Sequence, residues 1–167
     1  MTSVRPEHPD DAPAVRGLLE AAFGRPDEAD LVDALRREAG FIGLVAERDG
    51  AVVGHIAFSP MTLDARPGLR GLGLAPMAVL PEHQRAGVGS ALVRGGLARC
   101  RRAGANAVFV LGHPAYYPRF GFTPAADRGL ASVYDAPREA FRVLELRAGA
   151  LDGATGLVRY HAAFDAL

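Results

Sequence analysis

The segment Gln84-Arg85-Ala86-Gly87-Val88-Gly89-Ser90-Ala91-Leu92 follows an apolar run from Leu72 to Leu80 and opens a stretch of helical periodicity. Its chemistry is that of an anion cradle. A turn of small residues leaves backbone N–H groups pointing at a phosphate, and the positive end of the following helix dipole adds attraction. Glycine at 87 and 89 removes the Cβ atoms that would hold a pyrophosphate off the main chain. Spacing excludes two other phosphate loops. A nucleotide-hydrolysing P-loop needs Gly-Lys-Ser/Thr, and the chain contains no lysine. A dinucleotide fingerprint needs a third small residue where Leu92 stands, and Gly71-Leu72-Gly73 fails likewise by ending on Pro76. A strand-to-helix turn without a ligand is the structural alternative.

Residues 111 to 122 read Leu-Gly-His-Pro-Ala-Tyr-Tyr-Pro-Arg-Phe-Gly-Phe, so Tyr117 begins a Y-x-x-x-G-F pattern. The earlier loop reads Q-x-x-G-x-G-S, preceded by Met77-Ala78-Val79-Leu80-Pro81-Glu82. In this order the two segments resemble the GNAT superfamily of N-acetyltransferases. The stretch Gly156 to Phe164 is similar to the tail of a bacterial branch of predicted acetyltransferases, so the resemblance covers nearly the whole chain.

The resemblance implies an α/β fold: a single domain over residues 1–167 with a mixed sheet flanked by helices, splayed between two parallel central strands to admit the pantetheine arm of acetyl-CoA. It implies acetyl-CoA contacts from Met77, Ala78, Val79, Gln84, Arg85, Ala86, Gly87, Val88, Gly89 and Ser90, with the Val79 N–H polarising the thioester carbonyl. Tyr117 would face the CoA sulfur and assist the departing thiolate, with adjacent Tyr116 as its rival. A thiol near pKa 8.5 and a phenol near 10 make full proton transfer uphill by about 2 kcal/mol, so hydrogen bonding to the thiolate precedes donation. Arg85 and Arg119 are candidates for the CoA phosphates, against the alternative of solvated arginines.

Transfer by this chemistry is direct attack of an amine on the thioester, because no nucleophile is placed for a covalent intermediate. An alkyl amine is neutral only about once in 2,500 molecules at pH 7, so a base or desolvation must help. The strand from 71 to 80 holds no Glu or His. His113 is the first substitute, although His113-Pro114 also suits the start of a helix; His55 and Glu47 come next, and a solvent chain is the remaining route. The missing carboxylate supports the rival reading of an acyl-CoA binding or sensing module. The five histidines show no metal-ligand spacing. Cys100 reads as a packing thiol whose arginine neighbours favour thiolate.

Composition fits these expectations. The 167 residues, 49% apolar and 23% charged, suit one soluble domain. Nineteen arginines balance nineteen acidic residues, which gives no electrostatic reason to expect nucleic acid or an anionic membrane as partner. The expected partners are acetyl-CoA and an amine acceptor of open identity; a homodimer is also left open. One cysteine and the lack of a signal-like start give the cytoplasm as the expected location.

The elements that must position these residues follow from patterning. A first strand is expected at Ser3 to Arg5. A helix capped by Asp10 or Asp11 runs to Phe23, with Ala14, Val15, Leu18, Leu19 and Ala22 inward, and a second spans Asp30 to Arg37 and stops at Gly40. Asp49-Gly50 joins Leu44–Glu47 to Val52–Met61 as a hairpin. A strand over Leu72–Leu80, a helix over Gly87–Ala103 and a parallel strand over Ala107–Leu111 follow, then a late strand at Phe141–Arg147. Gly95 and Gly96 inside the helix cost about 1 kcal/mol each and require a close neighbour or ligand in compensation.

Overall fold

Asp49 and Gly50 both take positive φ, 52° and 80°, and reverse the chain between two strands whose central residues, Leu44–Ala46 and Val53–Ser59, are buried on both faces. A computed structural model describes residues 1–167. In order it contains β1 (Thr2–Pro6), α1 (Ala12–Phe23), α2 (Asp27–Leu35), β2 (Ile42–Arg48), β3 (Ala51–Leu63), β4 (Arg66–Val79), α3 (Val88–Arg102), β5 (Ala107–Leu111), β6 (Thr123–Pro124), β7 (Leu130–Ser132), β8 (Phe141–Glu145) and β9 (Gly156–Arg159). The hydrogen-bonded order is β1-β2-β3-β4-β5-β8-β6, with β9 joined to β3 and β7 to β9. This is the expected mixed α/β sheet. The chain divides into two compact units: one of Met1–Phe58, Pro76–Ala98 and Ala162–Leu167, the other of Ser59–Ala75 and Arg99–His161.

In the first unit, β1, β2 and β3 form an antiparallel ladder, from Thr2 opposite Arg48 to Pro6 opposite Leu44, and from Ile42 opposite Phe58 to Arg48 opposite Ala51. Val45 and Ala57 pack with Val15 and Leu19 of α1 and with Ala29 and Val32 of α2. The inward stripe of α1 is narrower than expected, since Val15, Leu18 and Leu19 are buried whereas Ala14 and Ala22 are exposed. Asp11 takes the cap position without capping, because its carboxylate accepts from Arg5 at 2.8 and 2.9 Å and from the His8 N–H at 2.7 Å. Helix α2 begins three residues before the expected Asp30 and ends at Leu35 rather than Arg37, with Asp27, Glu28 and Asp30 in the first turn to favour its positive end.

Gly95 and Gly96 of α3 are explained by close neighbours, Val4 and Phe58. A Cβ on Gly96 would stand 2.4 Å from Cε2 of Phe58, a ring with no exposed surface. Substitution Gly96→Ala therefore gains about 1 kcal/mol of helix propensity and loses more to overpacking, for a net destabilisation of about 1–2 kcal/mol. Urea unfolding midpoints check this, and a more stable variant would contradict it.

In the second unit, β4 and β5 are parallel through only three pairs, Gly71 to Gly73 with Ala107 to Phe109. Beyond them β5 pairs with β8, from Ala107 opposite Glu145 to Leu111 opposite Phe141, and β6 adds to the far side of β8. Met61, Leu63, Phe109, Phe141, Val143 and Val158 lie in its core, where the Phe109 and Phe141 rings stack at 5.9 Å. Strand β4 starts at Arg66 rather than Leu72, and β8 stops at Glu145 rather than Arg147. No helix is long and apolar enough to cross a membrane.

Candidate active site

After β4 the chain makes a 3-10 turn at Pro81–His83, and Gln84 Nε2 donates to the Val79 carbonyl at 3.0 Å, fastening the loop to the strand it leaves. Arg85 and Gly87 both take left-handed φ, 59° and 84°, and the first helical bond runs from the Ala91 N–H to the Gly87 carbonyl at 3.0 Å. The N–H groups from 85 to 89 carry no hydrogen bond, and the space where a Gly87 Cβ would lie is open. Unsatisfied N–H donors at the start of the fifteen-residue α3 form a cradle that fits a diphosphate. Arg85 is exposed beside it. Met77 and Val79 are half-buried and Ala78 is buried, so the last residues of β4 reach this loop as ordinary strand.

Tyr117 opens a single 3-10 turn, Tyr117–Phe120, rather than a longer helix, and Gly121 closes it at φ 96°. The turn before it is held by the Tyr116 N–H on the His113 carbonyl at 3.2 Å. The Tyr117 ring meets Tyr116 edge-on at 5.2 Å and Phe122 at 5.7 Å. It also lies across Gly112, where a Cβ would stand 2.9 Å from ring carbon Cε2. Burial, with a smaller push from the Tyr116 phenol, raises the Tyr117 phenol to about 12. Tyr117 thus remains a hydrogen-bond donor at any physiological pH. His113 is exposed at the start of the same turn. Arg119 donates to the Tyr116 carbonyl at 2.9 Å and covers the Tyr116 ring at 4.5 Å.

A third group takes in His55, the sequence's alternative base, but its partners were hidden because the members are far apart in the chain. Glu7 lies just after β1, Arg36 just after α2, and His55 in mid-β3. Arg36 donates twice to the Glu7 carboxylate at 3.0 Å, and His55 Nε2 stands 3.0 Å from Glu7 Oε1. Burial alone would raise Glu7, but hydrogen bonds from His55 and Arg36 outweigh it and hold the carboxyl at about 2. An ionised carboxylate only accepts, so Nε2 carries the proton in this pair. His55 has no exposed surface, and its Nδ1 has no hydrogen-bond partner. Glu47 is occupied by Arg5. Cys100 is the packing thiol expected, with no exposed surface, but the lean toward thiolate is absent: burial raises its thiol to about 12 and outweighs the lowering effect of Arg101. No group of three or more His, Cys, Asp or Glu side chains is placed to hold a metal ion.

The comparison with known proteins decides the family. Residues 6–122 match the model of the acetyltransferase (GNAT) family. The chain belongs to the GNAT acetyltransferases. It is 42% identical over 165 residues to the uncharacterized N-acetyltransferase YhbS of Escherichia coli strain K12, covering 97% of this chain and 98% of that protein. The crystal structure of E. coli YhbS in complex with CoA superimposes with a TM-score of 0.91, covering 98% of this chain and 92% of that one. A GNAT family acetyltransferase from Brucella melitensis in complex with acetyl-CoA is 39% identical, with a TM-score of 0.81 and 99% of each chain covered. Membership in this family makes the chain an acyl-CoA-dependent N-acetyltransferase, and its GNAT relatives hold CoA or acetyl-CoA.

Proposed function

We propose that this protein moves the acetyl group of acetyl-CoA to a primary amine by direct attack, in the cytoplasm. The observation that carries the reading is the row of unsatisfied N–H groups from 85 to 89 around the left-handed Gly87. In this proposal Gln84 to Ser90 take the pyrophosphate. Met77, Ala78 and Val79 flank the thioester, with the Val79 N–H on its carbonyl oxygen where negative charge grows during attack. Arg85 and Arg119 face phosphate. Tyr117 hydrogen-bonds the departing thiolate, and His113 takes the proton from the attacking ammonium and passes it to solvent. His113 suits that role through its exposure on the turn that leads into Tyr117.

Calorimetric titration with acetyl-CoA, followed by detection of released CoA thiol across a pool of amines, tests the reading. A β-branched side chain at φ 84° is strained and crowds the cradle, so Gly87→Val should raise the KM for acetyl-CoA about tenfold. An unchanged KM would remove the loop from cofactor binding. The second reading, a binding or sensing module, is favoured by one feature: β4 from Gly71 to Val79 carries no Glu or His to serve as base. Tight acetyl-CoA binding without CoA release from any amine would select it.

A further inference from the structure

The neutral total charge hides an uneven spread. Between Asp64 and Asp127 the only acidic residue is Glu82, against eight arginines. Four of these, Arg70 on β4 and Arg99, Arg101 and Arg102 in the last turn of α3, are exposed in the second unit, as is Arg147 just after β8. None of the five side chains is paired with a carboxylate or a carbonyl. Two of them meet at Gly104, which follows α3 at φ 86°. A Cβ there would stand 2.9 Å from Arg70 Nη1 and 3.6 Å from Arg147 Nη2, so the two nitrogens lie within about 6.5 Å of each other, the two distances laid end to end. Asn106 fixes the backbone on both sides. Its Oδ1 accepts from the Arg70 N–H and its own N–H donates to the Arg70 carbonyl, each at 2.7 Å, while its carbonyl accepts at 2.9 Å from Leu146, the residue before Arg147.

The local uses for these cations are already filled. The carbonyls of Arg99, Cys100 and Arg101, at the negative end of the α3 dipole, accept from the N–H groups of Ala103, Ala105 and Gly104. Glu145, two residues before Arg147, is held by Arg128 and by the N–H groups of Gly149 and Leu151. Five unpaired guanidinium groups therefore gather at the end of α3 opposite the Gln84–Ser90 loop. We propose that this surface docks the phosphate backbone of a double-helical nucleic acid. The gap between Arg70 and Arg147 admits one phosphate with an N–H···O contact of about 2.9 Å on each side, and the last turn of α3 meets its neighbours along the strand. The uncharged residues beside the arginines select the partner. Pro67, Gly68, Ala103, Ala148 and Gly149 are exposed and small, so the surface has neither the aromatic platform on which single strands stack nor the large apolar anchor that a protein partner requires. A duplex presents its phosphates outward and is held through them without base contacts.

The test is fluorescence anisotropy of a labelled DNA duplex of about 20 base pairs, a length that presents many phosphates. Wild type is compared with Arg70→Gln/Arg147→Gln and with Arg37→Gln/Arg48→Gln, which removes equal charge from two arginines of the first unit that likewise lack an ion pair. Wild type should bind at about 50 mM salt and lose about 40-fold in affinity by about 200 mM, as expected for about three neutralised phosphates. Arg70→Gln/Arg147→Gln should weaken binding at the lower salt by about tenfold or more and flatten the salt slope by about 2, while the control pair stays within about twofold. Thermal midpoints equal to that of wild type show that both variants fold. The proposal is overturned by any of four results: no binding by wild type at the lower salt, an equal loss in both variants, tighter binding of a single strand of the same length, or competition by oligoglutamate as effective as that by unlabelled duplex. Each of these leaves the acetyltransferase reading untouched, because release of CoA is measured separately.

Discussion

Tyr117→Phe is expected to lower kcat about 30- to 100-fold while the KM for acetyl-CoA stays within about twofold, the signature of an interaction made in the transition state alone. The reasoning begins with burial, which places the phenol at about 12. Against a CoA thiol near 8.5, full proton transfer from a phenol at about 12 is uphill by about 3.5 units, or about 5 kcal/mol. A hydrogen bond to the developing thiolate avoids that cost and is worth about 2 to 2.7 kcal/mol for a charged acceptor, which sets the fold-change. The sign of the pH dependence follows. Because the phenol is protonated well past pH 10, its own ionisation gives no alkaline limb between about pH 6 and 10, and the variant's profile should run parallel to that of wild type. Steady-state kinetics across that range check both statements. Full turnover by the variant would remove Tyr117 from the thiolate role, whereas an alkaline limb below pH 10 that vanishes with the hydroxyl would show that the phenol titrates well below 12. Tyr116→Phe provides the comparison and should have the smaller effect, its ring being turned against Arg119 and Phe120.

The parts of the fold legible in the sequence are those whose cause is local. Asp49-Gly50 demands a reverse turn, the apolar run at 107–111 makes a buried strand, and Gly87 marks the turn that opens a helix, where it takes left-handed φ. The Y-x-x-x-G-F pattern located the Tyr117 turn for the same reason, since Gly121 must take positive φ to end it. Causes that act at a distance were invisible. Gly95 and Gly96 announced in the sequence that α3 has a close neighbour there, but not that Gly96 is the seat of Phe58, a residue of β3 far off in the chain. Cys100 read correctly as a packing thiol, but the lean toward thiolate inferred from its arginine neighbours fails, because those side chains are exposed while the thiol is sealed in the core. The short strands β7 and β9 carry little patterning of their own, because a parallel pair of three or four residues is dictated by what it packs against.

The Glu7–His55–Arg36 cluster, equally hidden from the sequence, supports the largest stability prediction. Glu7→Gln keeps the shape and an acceptor for His55 Nε2 but removes the charge that Arg36 and the buried site are built around. The direction is fixed by linkage: a carboxyl depressed from 4.5 to about 2 stabilises the fold fully above its unfolded pKa and loses that contribution as pH falls through the folded value. Complete conversion of that shift would give about 3.4 kcal/mol, and relaxation around Arg36, which is partly exposed, reduces the expected loss at pH 7 to about 2–3 kcal/mol. Asp11, held at about 2 chiefly by its hydrogen bonds from Arg5, weakens in the same acid window in both proteins. The difference between wild type and variant therefore isolates Glu7. Denaturant unfolding at a series of pH values should show that difference constant from pH 8 to about 5 and shrinking between about 4.5 and 2. A gap that persists undiminished at pH 3 would show that Glu7 acts through packing in this cluster and not through its charge.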